Sequence, residues 1–367
     1  MIKPLTSLRF LFALMVYGSH LGFLEHSKSN ISSSIYNYIL AEGSIGVSFF
    51  FILSGFILAY NYQDSILKKQ KTKKSFYIAR FARIYPLHIL TFIISLKLSP
   101  ISSNIQLWFS QAIANISLTQ AFIPLESFYF SFNWPSWSIS DEMFFYMVFP
   151  FLILLIPKIK DYGNFVIISI IALVPLLTLI IPESYHLQIF YINPLLRIVD
   201  FIIGIYIYNI YKVISHKTNL KFDLLEVSAV LIFLIFFVFH KLVPNVARYS
   251  FYYWIPMGYL ILIFSFQKGR ISKFLSKRVF IHLGEISFGF YMFHQLVIRY
   301  FEVINTKFLN IENELLMILI TFSISLALSY YSFLLYEAPM NRYIKRIFRN
   351  QKPIPNKFAS NSTSQLL

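Results

Sequence analysis

Apolar residues in this chain cluster into runs near 20 residues long, broken by short polar stretches. Ten such runs stand out, with approximate limits 7–26, 44–62, 84–99, 139–157, 164–181, 194–211, 223–240, 251–267, 281–301 and 314–336. A helix rising about 1.5 Å per residue needs about 20 apolar residues to cross a hydrocarbon core about 30 Å thick. The pattern predicts an all-α integral membrane protein, a bundle of about ten transmembrane helices. The segment from Pro100 to Ser138 holds a weaker apolar stretch, IQLWFSQAIANISLTQAF. It reads as a helix lying at the outer interface or dipping into the bundle, because one more full span would invert every later loop.

Basic residues set the orientation. Lys68, Lys69, Lys71, Lys73 and Lys74, then Arg80 and Arg83, fall on one side of the predicted bundle. So do Lys158 and Lys160, Lys212, Lys217 and Lys221, Lys268, Arg270, Lys273, Lys277 and Arg278, and the final Arg342, Lys345, Arg346 and Arg349. The opposite loops carry only Lys28, Lys241, Arg248 and Lys307. By the positive-inside rule the crowded side is cytoplasmic, and so are both termini. A multi-pass protein of the cell inner (plasma) membrane is expected.

Composition agrees. The chain is 57% hydrophobic and 13% charged, where a soluble domain carries about 25% charged residues. One membrane domain over 1–345 and a polar, disordered tail over 346–367 are expected, with no soluble module. The formal net charge of +16 does not indicate a nucleic-acid partner, since the charges flank spans instead of forming a basic stripe with interleaved aromatics. The absence of cysteine excludes disulfides and thiolate chemistry. The eight histidines include no i,i+4 pair, so no metal site is expected. No Walker-type phosphate loop is present. The first run has only Lys3 before it and no small-residue cleavage site after it, so it is expected to stay in the protein.

Ionisable residues inside apolar runs are costly and commonly line a cavity or pathway. Arg9 and His20 lie in the first run, eleven residues apart, so they share a helix face about 16 Å apart along the axis. Gly43, Gly46 and Gly55 in the second run suit close helix packing. Arg80 and Arg83 are three apart and present two forked guanidinium groups on one face, a geometry suited to phosphate. Trp134 and Trp137 precede the fourth run and read as interface anchors. Asp141 and Glu142 follow them without a basic neighbour in sequence, and a carboxylate there can orient an imidazole or bind sugar hydroxyls. Arg197 and Asp200 are spaced to pair. His294 falls in the outer half of the ninth run, and Glu337 closes the last run among basic residues as a charge partner.

Taken in order, these segments resemble the acyltransferase-3 family of membrane O-acyltransferases. The resemblance runs from Leu5 to Arg346 and is carried by Arg9 with His20, IGVSFFFILSGF, ARFARIYP, PSWSISDEMFFY, NPLLRIVDFIIGI, LGEISFGFYMFHQLV and YEAP. It implies about ten spans, an acyl group taken from cytoplasmic acyl-CoA, and a glycan acylated on the far side. It implies a catalytic role for His20, and roles in activity or donor binding for Arg9, Arg80 and Arg83. One departure is Asp141, which stands before Glu142 where the family commonly has a less polar residue.

The chemistry of the residues fits that implication. Esterifying a sugar hydroxyl needs a base, and an imidazole titrates near pH 6.5. The developing oxyanion needs a cation or donor beside it. The reading is direct transfer: His20 as general base, Arg9 polarising the donor, and Arg80 and Arg83 binding the phosphates of acetyl-CoA. Glu142 and His294 would work on the acceptor side, a surface polysaccharide or lipid-linked glycan, with Trp137 and Arg197 as further acceptor-side candidates. An acyl-histidine relay is the mechanistic alternative. A transporter or flippase of a lipid-linked glycan is the rival function, and a structural membrane subunit a third class.

Overall fold

The computed structural model describes residues 1–99, 104–155, 163–215 and 221–349, and among them all regular structure is helical. The tail from residue 350, and the inner-loop residues Lys158, Lys160 and Lys217, lie outside the described residues. Every apolar window predicted above contains a helix. In chain order we name α1 (Lys3–Ser19), α2 (Gly46–Leu67), α3 (Lys73–Ser95), α4 (Ile105–Ile116), α5 (Trp137–Leu155) and α6 (Gly163–Leu177). They are followed by α7 (Pro194–Ile214), α8 (Phe222–Val238), α9 (Trp254–Ser265), α10 (Arg278–Ile304), α11 (Glu314–Ser332) and α12 (Ala338–Arg349). Five helical runs are long and apolar enough to cross a membrane: 30–67, 73–98, 134–155, 194–214 and 314–348.

Local signals start several helices. Thr72 and Asn313 cap α3 and α11 by accepting from the backbone amides of Ser75 and Leu316, the role of short polar side chains at N-termini. Asn193 caps α7 and Pro194 occupies its first position, where a missing N–H costs nothing. The end of α1 departs from the sequence reading, which carries the span to residue 26. Ser19 Oγ and His20 Nδ1 both bond to Val16 O, at 2.8 Å each, and such local side-chain bonds compete with the helical ladder. His20 therefore sits at the C-cap, followed by a 3-10 turn over Gly22–Leu24.

The bundle has an apolar core, yet it also exposes large apolar side chains and buries polar ones. Leu11, Ile93, Phe151, Leu231, Leu319 and Leu335 are exposed, while Ser48, Thr91, Asp141, Arg197, Asp200 and His294 are buried. α10 is buried continuously from Ile286 to Ile298 and packs against α1, α11 and α3. The other extensive packing joins α2 to α7. A Cβ on Gly55 would lie 2.0 Å from Phe201 O, and one on Gly204 2.0 Å from Ile52 O. Only glycine at both positions lets these backbones touch.

Segment 104–136 contains α4, as expected for this weak apolar stretch, and is tied to the bundle by buried polar groups. His88 Nε2 bonds to Asn115 O at 2.8 Å, and Asn133 Nδ2 donates to Met292 O at 3.1 Å. Leu118 and Phe132 both adopt positive φ, near 56° and 57°, which costs a bulky residue about 1–3 kcal/mol. Their carbonyls accept from Ser140 Oγ (2.7 Å) and Arg299 (2.7 Å).

Candidate active site

Five helices converge on a cavity of about 160 Å³. Arg9 reaches it from α1, Ser54 from α2, Arg80 and Arg83 from α3, Glu142 and Tyr146 from α5, and Tyr291 from α10. The i,i+3 spacing of Arg80 and Arg83 presents both on the cavity side of α3. Arg80 donates to Tyr62 Oη at 3.2 Å and lies 5.7 Å from the Tyr146 ring centroid. Arg83 lies 5.7 Å from the Phe288 ring. Among the described residues none of the three arginines enters a salt bridge, and Arg80 Nε has no hydrogen-bond partner.

Glu142 is the carboxylate lining this space. Its Oε1 accepts from Ser54 Oγ at 3.1 Å and from the Tyr146 phenol one helical turn on. The sequence reading puts Glu142 on the acceptor side; the structure puts it in one cavity with Arg9, Arg80 and Arg83. Buried Glu337 lies within electrostatic reach of Arg83 and Arg9. Three guanidinium groups against one lining carboxylate leave the cavity electropositive, and low-dielectric walls strengthen its pull on an anion.

Tyr291 lines the cavity, whereas His20 and His294 do not. The Tyr291 hydroxyl donates to Pro135 O at 3.2 Å and shares a 2.7 Å hydrogen bond with Ser138 Oγ. Behind it stands His294, 5.8 Å away between ring centroids. His294 Nε2 lies 3.1 Å from His20 Nδ1, with the two rings tilted 58°. His294 is fully buried, while His20 is half-buried. No carboxylate bonds to either ring among the described residues. Of the two roles expected of Asp141 or Glu142, orienting an imidazole or binding sugar hydroxyls, the first has no hydrogen bond to carry it: the ring beside His20 is a second imidazole.

A family model described as an acyltransferase domain matches residues 4–334. The chain belongs to the acyltransferase-3 family. It is 29% identical over 318 residues to "Acyltransferase MdmB" of Streptomyces mycarofaciens, covering 82% of this chain and 79% of that protein. It is 22% identical over 389 residues to "Nose resistant to fluoxetine protein 6" of Caenorhabditis elegans, covering 88% of this chain and 47% of that one, so it spans about half of that relative. No solved structure matches the chain.

The acyltransferase-3 match takes in every residue that lines the cavity, and leaves out Glu337 and the helix α12. Two acceptor-side candidates of the sequence reading lie elsewhere in the family's bundle. Arg197 is 1% exposed and bonds Tyr249 O (2.7 Å), Ser48 Oγ (2.9 Å) and Asp200 (3.0 Å), which makes it an internal tie between α7, α2 and the segment before α9. Trp137 is buried against Phe51 and Tyr191 instead of anchoring an interface, whereas Trp134 is exposed. Asp141 is buried, its oxygens have no hydrogen-bond partner, and it faces Arg197 and Asp200 electrostatically. Sequence reasoning passed over Tyr146 and Tyr291. The i,i+4 relation of Tyr146 to Glu142 was a usable signal; Tyr291 had none, since tyrosine is abundant throughout the chain.

Proposed function

We propose that this acyltransferase moves an acyl group, acetyl first among the candidates, from cytoplasmic acyl-CoA to a hydroxyl of an extracytoplasmic or lipid-linked glycan. The bundle crosses the inner membrane ten times with both termini in the cytoplasm. The observation that carries the reading is the electropositive cavity of Arg9, Arg80 and Arg83, one of whose lining residues, Tyr291, packs against His294 of the His20–His294 pair. Phosphate oxygens suit forked guanidinium groups, so Arg80 and Arg83 hold the CoA phosphates and Arg9 polarises the thioester. Glu142, fixed by Ser54 and Tyr146, holds Arg9 in place by charge. The acceptor reaches His20 from the outer side.

In the reaction the sugar oxygen attacks the thioester carbonyl while its proton passes to His20. The tetrahedral adduct collapses, the C–S bond breaks, and the thiolate takes the proton back to leave as CoA. Imidazole is suited to both transfers because its ordinary pKa is close to neutrality.

The test uses purified protein in liposomes, given radiolabelled acetyl-CoA and polysaccharide extracted from the host surface. Label should appear as alkali-labile ester on the glycan and vanish in His20→Ala, with the melting temperature unchanged. Glycan that crosses the bilayer unmodified, with no ester formed, would replace this reading with the flippase.

A further inference from the structure

We propose that His294 is a positioning residue: it holds His20 in the tautomer whose Nε2 carries the free lone pair, the nitrogen that takes the acceptor's proton. This rests on the acyl-transfer reading above and assigns the atom that acts in it.

The assignment follows from which neighbours can only accept. His294 Nδ1 lies 3.2 Å from Phe290 O, and His20 Nδ1 lies 2.8 Å from Val16 O. A carbonyl oxygen has no proton to give, so each Nδ1 must carry one. A neutral imidazole with a proton on Nδ1 has its lone pair on Nε2. His294 Nε2 therefore accepts, and the Nδ1–H of His20, 3.1 Å away, is shared between that nitrogen and Val16 O. The opposite tautomer of His20 would set an Nδ1 lone pair against two acceptors. Among the described residues nothing bonds to His20 Nε2, and His20 is the half-buried member of the pair.

The surroundings hold this arrangement. His294 is fully buried and packs against Tyr17, Phe290 and Tyr291, so its ring has little room to turn. Orienting a catalytic histidine is commonly the task of a carboxylate; here a neutral imidazole accepts the same bond. When Nε2 of His20 takes the acceptor proton, the Nδ1–H bond becomes charge-assisted and shortens toward His294. When the thiolate recovers that proton, the pair returns to its starting state with nothing consumed.

The experiment compares wild type, His294→Gln and His294→Leu in nanodiscs. With acetyl-CoA and host surface polysaccharide, His294→Leu should lower kcat at least about tenfold, within the 10²–10⁴ that general-base catalysis contributes, and leave KM for acetyl-CoA unchanged. His294→Gln, whose amide oxygen can accept the Nδ1–H, should recover most of that loss. The ¹⁵N spectrum of histidine-labelled wild type should show His20 protonated on Nδ1 alone, and His294→Leu, in which Val16 O is the one acceptor left on Nδ1, should show a measurable share of the Nε2-protonated tautomer; an unchanged spectrum would overturn the role of His294. His20 protonated on Nε2 in the wild type overturns the proposal even if neither variant folds. If His20→Ala abolishes transfer while both His294 variants keep kcat, only the role of His294 falls. If His20→Ala keeps full transfer, the underlying reading falls with it.

Discussion

Asp141 and Glu142 are adjacent, and a helix turns successive side chains by about 100°, so the two carboxylates face different neighbours. Glu142 enters the cavity and binds two hydroxyls, whereas Asp141 is buried beside Arg197 and Asp200 with no hydrogen-bond partner. Their amide substitutions should diverge. Glu142→Gln should reduce acyl transfer on the order of tenfold or more, because it removes the charge proposed to hold Arg9, and a small misplacement at a reacting centre is costly. Asp141→Asn should leave the rate within about threefold and hold or raise the melting temperature, since it relieves an unbonded buried acid. Equal losses in initial rate for the two would contradict this division. Arg197→Ala should cost about 3–5 kcal/mol by stranding Asp200, read as a lower melting temperature in detergent. These assignments were only partly legible in the sequence. The pairing of Arg197 with Asp200 and of Glu142 with Tyr146 lies in helical spacing, but the meeting of His20 with His294 spans 274 residues and no local pattern encodes it.

At the scale of elements, the apolar windows were readable as helices because long apolar runs mark them, whereas only five helical runs have the length and apolarity of a span. What each helix turns toward its neighbours was not readable, because lipid and protein interior are both apolar and the periodicity that marks a buried face is weakened. Glycine placement is the exception. Gly43, Gly46 and Gly55 read as packing residues, and a Cβ on any of them would strike backbone. The α2–α7 crossing gives the sharpest case. Gly204→Leu should prevent a monodisperse fold in detergent, an overpacking penalty of at least about 1–3 kcal/mol. Gly22→Ala, where a Cβ meets nothing within 4 Å, should behave as wild type in size-exclusion chromatography.

For the whole molecule, the proposed orientation can be checked directly because the chain has no cysteine and each introduced thiol is a unique reporter. In right-side-out vesicles a membrane-impermeant maleimide should label Ser34→Cys and Lys307→Cys at once, and Gln70→Cys only after permeabilisation. The reverse pattern would invert the bundle and place the arginine cavity on the side away from cytoplasmic acyl-CoA.

The helix at the centre of this bundle is poorly suited to entering a membrane alone. α10 is the longest of the named helices at 27 residues, yet it is not among the five runs apolar enough to cross; it carries His282, Glu285, His294 and Arg299. α11, next in the chain and packed along it, is apolar enough to cross and buries only Met317, Thr321, Ser325 and Ser329. Biogenesis should then have an order: the two enter as a hairpin, the greasy partner drawing the polar one across, and α1 receives them. A chain stopped after residue 304 should leave α10 outside the bilayer and open to protease, so that His294 meets His20 only after α11 has been made.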